Sequence, residues 1–186
     1  MTLCPDDELT RLLEGMAQPS GPTLEGLKGA VSAYPDDPRL HFLLGSVLIG
    51  EGQLIDAHEH LARAIEIEPE YHLARFQLGF FSLTSGEPER ALDVWGRLDR
   101  LPDDHYLRKF VDGLRCLIRD DFNGAIASLS EGIQLNQENL PMNSDMQLLI
   151  EECHKLLGGQ TADDAPSETS ATSLLLNQLS GRGPGH

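Results

Sequence analysis

The side chains best suited to metal or acid–base chemistry form two short clusters in the sequence. The clusters are residues 58–60, HEH, and residues 103–105, DDH. Residues two apart on a helix point in different directions, so the imidazoles of the first cluster cannot both face one metal ion. Acidic residues are favoured at a helix N-terminus, which explains the second cluster without catalysis. We therefore interpret His58 and His60 as surface residues of a helix, and we predict no metal site.

No other group of residues forms a catalytic constellation. Cys4, Cys116 and Cys153 are odd in number and widely separated, which fits neither a disulfide framework nor a zinc site and favours a reducing, cytoplasmic compartment. The glycines at 158–159 follow a predicted helix instead of opening one, so they do not form a phosphate-binding loop. The sequence predicts a non-enzymatic protein without a cofactor, and an enzyme based on the clustered histidines is the least favoured function.

The chain is strongly acidic, with 14 Lys and Arg against 30 Asp and Glu and a formal net charge of −16. Affinity for nucleic acid rests on neutralising phosphates with basic side chains, so this balance disfavours DNA and RNA. It also disfavours an anionic membrane surface. Residues 1–13 lack the basic and apolar regions of a signal sequence, and no apolar run approaches the ~20 residues of a membrane span. We therefore expect the partner to be another protein.

Three kinds of residue recur at a constant interval, which indicates a repeated structural unit. The interval is 34 residues, since 79 − 45 and 113 − 79 are both 34. A fixed period of this size is typical of a stacked repeat array. The recurring residues are Gly45, Gly79 and Gly113; Ala57, Ala91 and Ala125; and Phe42, Phe76 and Phe110. A mid-helix glycine costs about 1 kcal/mol against alanine. We expect these glycines to mark a close approach of a neighbouring helix, with the alanines permitting it.

Apolar residues at helical spacing, separated by Pro and Gly breakers, predict an all-α protein. Two helices precede the repeats, each repeat contributes a pair, and a further helix follows a loop that contains Pro141. The predicted helices cover residues 3–16, 24–33, 39–50, 54–67, 72–85, 88–98, 105–119, 123–135 and 144–157. After residue 158 the composition predicts a disordered tail.

Each repeat reads as a helix–turn–helix whose pattern resembles the tetratricopeptide repeat (TPR). The first copy carries the pattern in residues 41–48, HFLLGSVL, and 57–61, AHEHL, before Pro69. The later copies keep Leu78, Gly79, Ala91, Trp95 and Pro102, then Gly113, Ala125 and Leu129. The third copy departs from the pattern at Asp112, where leucine is usual, and lacks a closing proline. The bulky aromatic residue of the family near the start of the first helix is replaced by His41, Arg75 and Lys109.

The resemblance implies a TPR-type α-solenoid of stacked antiparallel helix pairs with a C-terminal capping helix and a disordered tail. A single pair cannot bury its own apolar face, so the pairs must stack. The implied segments are 1–37, N-terminal helices forming a degenerate half-repeat; 38–71, 72–105 and 106–139, the three repeats; 140–158, the capping helix; and 159–186, the tail with a short apolar cluster.

TPR arrays line their concave side with one face of the first helix of each pair. In co-chaperone members, lysines and asparagines on this face clamp a peptide carboxylate. The corresponding residues here are mostly apolar, so we expect an amphipathic helix or an extended apolar segment as the ligand. The predicted partner-binding residues are Arg39, Phe42, Ser46, Leu73, Phe76, Phe80, Leu107, Phe110 and Leu114. The same apolar stripe could equally be core, covered by the protein's own helices.

The sequence thus predicts an adaptor or chaperone-like interaction module, by analogy with small cytoplasmic TPR chaperones of bacterial secretion and appendage assembly. The alternative is a self-associating scaffold that uses the apolar face or the tail cluster at 173–179, SLLLNQL. That cluster could return across its own groove, bind another protein or form a homo-oligomer. Its apolar residues are Leu174, Leu175, Leu176 and Leu179.

Overall fold

The computed structural model describes residues 3–16 and 24–159, and within these ranges every regular element is helical. The all-α prediction is confirmed. The described ranges contain nine α-helices and a short 3-10 helix at Gly96–Arg100. The α-helices are α1 (Asp6–Met16), α2 (Leu24–Ala33), α3 (Pro38–Gly50), α4 (Leu54–Ile67), α5 (His72–Thr84), α6 (Pro88–Trp95), α7 (Tyr106–Ile118), α8 (Phe122–Leu135) and α9 (Leu140–Gly159).

Three helices differ from their predicted bounds by more than a residue or so. Helix α1 starts at Asp6, after Pro5, and the predicted end of α6 is instead the separate 3-10 helix. Helix α9 starts at Leu140, so the prediction that Pro141 lies in a loop is wrong. Proline fits the first turn of a helix because the N–H that it lacks would have no partner there.

The chain divides into two compact units within α5, between Leu78 and Gly79. In the first unit, α3 packs against α2 and α4. One of its core clusters consists of Leu27, Leu43, Leu44, Leu48 and Ala57, with Leu9 and Leu12 of α1 packed against it. In the second unit, α7 packs against α6 and α8, and α8 packs against α9. Trp95, Phe110 and Leu114 are among the fully buried side chains of the second unit.

Each recurring glycine lies directly against a large side chain of the following helix. A Cβ added to Gly45 would lie 2.9 Å from Leu61 Cγ, and one added to Gly113 would lie 2.7 Å from Leu129 Cγ. A Cβ added to Gly79 would overlap the indole ring of Trp95. Leu61, Trp95 and Leu129 are themselves separated by 34 residues. The close approach at the glycines is therefore present, and the atoms in contact belong mainly to these large side chains.

The three recurring alanines lie on the same helices as the large side chains that contact the glycines. Ala57, Ala91 and Ala125 are fully buried, as small residues at a helix contact should be. The carbonyl oxygen of Ala57 lies 3.2 Å from the Cβ position of Gly45. Each glycine makes room for the residue four positions after the alanine, which lies one turn further along the same helix face.

The turn inside each helix pair also repeats. Gly52 and Gly86 have positive φ angles of 71° and 81°, and Asp120 takes the corresponding place with φ 55°. In each turn, the next residue donates its backbone N–H to the carbonyl five positions earlier; the bonds are Gln53 to Leu48, Glu87 to Ser82 and Asp121 to Cys116. This is the hydrogen bonding of a Schellman motif, which favours glycine at the left-handed position. Aspartate is one of the few other residue types that can adopt the left-handed conformation.

Candidate functional site

The predicted partner-binding residues fall into two groups by burial. Phe76, Leu107, Phe110 and Leu114 are buried and expose almost no surface. The half-buried residues are Arg39, Phe42, Ser46, Leu73 and Phe80. The sequence allowed two interpretations of the apolar stripe, a partner-binding face or part of the core. The buried residues of the stripe belong to the core in this structure. Partner binding by any of these side chains stays a prediction.

Phe110 is held in the core of the second unit by its neighbours on α7 and α8. Gly132 of α8 lies against its ring, where an added Cβ would overlap the ring carbons Cδ1 and Cε1. Tyr106 packs edge-on, with the ring centroids 5.8 Å apart and an interplanar angle of 78°. The mid-helix glycine at 132 was a sequence signal for this burial, because it makes room for a large neighbour as the three recurring glycines do.

Arg39 connects the start of α3 to the N-terminal segment. Its guanidinium binds Asp37 at 2.7 Å and Asp6 at 2.9 Å, and donates to the carbonyl oxygen of Cys4 at 2.9 Å. The hydrogen bond to Asp37 holds the pKa of Arg39 above its ordinary value. Since these groups occupy its donors, the Arg39 side chain has a structural role in the first unit.

The buried Asp37 carboxylate is the centre of this network. Its Oδ1 accepts from the backbone N–H and the Nε of Arg39, both at 3.0 Å, and its Oδ2 accepts from the backbone N–H of Cys4 at 2.9 Å. Burial alone would raise the pKa of Asp37, but the hydrogen bonds from Arg39 and Cys4 outweigh it and lower the pKa. Asp37 also caps the N-terminus of α3.

One face of α3 keeps a half-buried strip of residues at helical spacing. We call it the α3 strip, and it consists of Phe42, Ser46 and Ile49. The Phe42 ring packs against Tyr71, with the ring centroids 5.3 Å apart, and burial raises the pKa of Tyr71 to about 12. The Ser46 hydroxyl donates to the carbonyl oxygen of Phe42 at 2.9 Å, so its hydrogen bond stays within the helix. The α3 strip thus contains no charged side chain, and its two apolar members, Phe42 and Ile49, are partly buried against the core cluster of the first unit.

Three residues near the starts of α3, α5 and α7, spaced by 34 residues, bind neighbouring parts of the chain. His41 Nε2 lies 3.0 Å from the carbonyl oxygen of Pro35, and Arg75 donates to the carbonyl oxygen of Pro69 at 3.0 Å. In the third pair, Lys109 instead forms an ion pair with Glu131 of α8 at 3.0 Å. The contacts of His41 and Arg75 connect the starts of α3 and α5 to the turns that precede these helices.

The histidine clusters are not arranged as a metal site. Among the described residues, no group of three or more His, Cys, Asp or Glu side chains could hold a metal ion. His105 accepts a hydrogen bond from the backbone N–H of Leu107 at 3.2 Å and so caps α7, at the helix start predicted for this cluster. His60 is not the surface residue that was expected, because its Nδ1 lies 2.9 Å from Nδ1 of His41 on α3. A partner on another helix leaves no signal in the local sequence.

The three cysteines are free thiols, and burial raises the pKa of each. Cys153 is the most affected, with a pKa of about 11. Since the thiolate is the nucleophilic form, a raised pKa makes a thiol less reactive at neutral pH.

Several large apolar side chains outside the predicted list are exposed. Ile55, in the first turn of α4, exposes 77% of its surface, and Leu54 beside it exposes 49%. In the second unit, the exposed leucines include Leu135, Leu140 and Leu148. None of these positions belongs to the predicted partner-binding residues, although the adjacent apolar pair at the start of α4 is visible in the sequence.

No described helix is both long enough and apolar enough to cross a membrane. The predicted tail residues Leu174, Leu175, Leu176 and Leu179 lie outside the described residues.

Comparison with known proteins gave no family assignment. No protein-family model matches the chain, and no curated protein is significantly similar to it in sequence.

Proposed function

We propose that this protein is a non-enzymatic protein-interaction module of the TPR type, an adaptor or chaperone-like protein that binds an apolar helix or extended segment of a partner. One observation carries the proposal. The helix pairs α3–α4, α5–α6 and α7–α8 repeat the same glycine contact and the same turn hydrogen bonds at 34-residue intervals. Repeated helix pairs commonly present extended binding surfaces. The TPR-type solenoid with its capping helix and the cytoplasmic location are parts of this proposal.

The α3 strip, which contains the predicted binding residues Phe42 and Ser46 together with Ile49, is the surface that we assign to the partner. Phe42, Ser46 and Ile49 are half-buried, so they retain apolar area that a ligand could cover. An amphipathic helix recognises such a surface through its own apolar residues at helical spacing. The buried residues Phe76 and Phe110 would then support the fold, and would not contact the ligand directly.

Introducing a charge into the α3 strip tests the proposal. Ser46→Glu places a carboxylate between Phe42 and Ile49, where an apolar ligand would have to desolvate it. We expect the full-length variant to bind apolar helical peptides at least about tenfold more weakly, which corresponds to roughly 1.4 kcal/mol. The peptides are first selected from a displayed library on the wild-type chain, and affinities are then measured by fluorescence anisotropy.

Ser32→Glu is the matched control. Ser32 is an exposed residue of α2 whose hydroxyl donates to the carbonyl oxygen of Lys28 at 2.8 Å, the same four-residue bond that Ser46 makes. The Ser32→Glu substitution adds the same charge away from the α3 strip, so the affinity for the selected peptides should not change. Equal affinities for the two variants, with intact circular dichroism spectra, would place the ligand elsewhere.

Self-association is the second candidate function, and the exposed Leu140 and Leu148 of α9 favour it. Light scattering of the full chain distinguishes it from binding of a different partner. A molar mass that stays at the monomer value of 20.4 kDa at high concentration excludes it.

A further inference from the structure

The imidazoles of His41 in α3 and His60 in α4 contact each other inside the first unit. Their Nδ1 atoms are 2.9 Å apart, and the ring centroids are 5.1 Å apart at an interplanar angle of 33°. His41 is buried, with 7% of its surface exposed, and His60 is half-buried. The pair connects the two helices of the first helix pair.

The neighbouring carbonyl determines which nitrogens carry protons. Pro35 offers only an acceptor at its carbonyl oxygen, so His41 Nε2, 3.0 Å away, must be the protonated nitrogen that donates to it. In a neutral imidazole the other nitrogen is then an acceptor. His41 Nδ1 therefore accepts, and His60 Nδ1 carries the proton of the contact between the rings.

The contact between the rings has room for a single proton. If His41 Nδ1 gained a proton while His60 Nδ1 kept its own, two N–H groups would face each other across 2.9 Å, and the hydrogen bond would break. An added proton on His60 Nε2 keeps the contact but charges a half-buried ring. Burial lowers the pKa of His60, and the neighbouring His41 lowers it further.

The titratable groups around His60 have opposing effects on its pKa. Lys28 of α2 and His41 of α3 disfavour a positive charge on His60, whereas Asp56 and Glu59 on its own helix favour one. The two acids are exposed, so water screens their effect. The lowered pKa of His60 indicates that burial, together with His41 and Lys28, outweighs the two acids.

We propose that the His41–His60 pair is a proton-sensitive lock on the α3–α4 helix pair, which holds the pair closed at neutral pH and releases it on mild acidification. A solvated imidazole outside a folded contact has an ordinary pKa near 6.5. The closed state accepts at most one added proton without losing the contact, so below that pH the open state binds about one proton more. The contribution of the contact to the stability of the closed helix pair is therefore complete above about pH 6.5 and is lost as the pH falls. The opening constant rises about tenfold for each pH unit. This device does not depend on the proposed function.

Hydrogen exchange of the full chain, corrected for intrinsic rates, tests the lock. Between about pH 6.5 and 5.5, the opening constant of α3 and α4 should rise about tenfold relative to that of α8, which contains no histidine. His60→Asn should reduce the rise to less than about twofold, because a side-chain amide can flip and present either a donor or an acceptor to His41 Nδ1. His58→Asn removes an imidazole from the same helix outside the pair, and it should keep the tenfold rise.

A wild-type opening constant that does not change with pH, or a tenfold rise that persists in His60→Asn, would overturn the proposal. A second measurement needs no variant. Nitrogen-15 NMR of the imidazoles near neutral pH should show the proton of His41 on Nε2 and that of His60 on Nδ1. A proton on Nε2 of a neutral His60 would contradict the lock even if the exchange data agreed with it.

Discussion

Gly79→Ala is expected to destabilise the second unit by about 2 kcal/mol, because the added methyl group has no space. It would overlap Nε1, Cδ1 and Cε2 of the Trp95 indole. Trp95 is fully buried, so its ring cannot move into solvent to relieve the overlap. Overpacking of this kind costs about 1–3 kcal/mol, and the better helix propensity of alanine returns at most about 1 kcal/mol. Because the methyl group would overlap three atoms of the ring, we expect an overpacking cost near the upper end of this range.

The fluorescence of Trp95 measures this effect directly. It is the single tryptophan of the chain, so its emission during denaturant unfolding follows the second unit. Gly96→Ala is the control within the same unit, since an added Cβ there meets no atom within 4 Å and its φ of −53° suits alanine. Gly96→Ala should unfold at the wild-type midpoint or slightly above it. A wild-type midpoint for Gly79→Ala would mean that the glycine contact does not determine the packing of this helix pair.

Asp37→Asn is expected to cost the first unit about 3 kcal/mol, since it leaves buried donors without acceptors. Each carboxylate oxygen of Asp37 accepts two hydrogen bonds, Oδ1 from Arg39 and Oδ2 from Arg39 and Cys4. The amide of Asn has one oxygen, so in either orientation two donors face an NH₂ group. The loss stays at the lower end of the 3–5 kcal/mol known for buried pairs, because Arg39 is 31% exposed and water reaches its guanidinium.

Asp36→Asn is the matched control for this substitution. Asp36 is the neighbouring residue, is half-exposed and forms a 3.4 Å ion pair with Arg63, so its loss should change stability by less than about 0.5 kcal/mol. Unfolding followed by circular dichroism gives the free energies, and hydrogen exchange of α3 assigns the loss to the first unit. Equal stabilities of the two variants would show that the Asp37 network is not a major source of stability.

The acid dependence of the Asp37 effect provides an additional check. The folded pKa of Asp37 is lowered, so its contribution is complete above the unfolded value near 3.9 and is lost as the pH falls through the folded value. The stability difference between the wild type and Asp37→Asn should therefore be constant near neutral pH and shrink only below about pH 4. This range is well separated from that of the histidine lock.

The sequence alone predicted the helices because their determinants are local. Pro38 and Pro88 start α3 and α6, and the left-handed turn positions at Gly52 and Gly86 end the preceding helices. The 34-residue interval also identified the glycines that the large side chains contact. The exact contact atoms were not predictable, since a period identifies equivalent positions and does not identify which side chain of the facing helix fills the space.

The candidate site was less predictable because it depends on contacts between distant residues. Phe42 and Phe110 occupy equivalent positions in the sequence, yet Phe42 is half-buried beside Tyr71 and Phe110 is fully buried against Gly132. The same limit applies to His60, whose partner lies on α3. Burial and pairing of this kind follow from which helices meet, and the spacing within one helix does not contain that information.

The most direct test of partner binding along the α3 strip is photo-crosslinking in the full chain. A benzophenone amino acid replaces Ser46 in one preparation and the exposed Ser32 of α2 in another, and mass spectrometry maps the crosslinked residues. The proposal predicts that position 46 crosslinks to an apolar helical or extended segment of a different protein, and that position 32 does not. Crosslinks of equal yield at the two positions, or crosslinks from position 46 only to this chain itself, would contradict it.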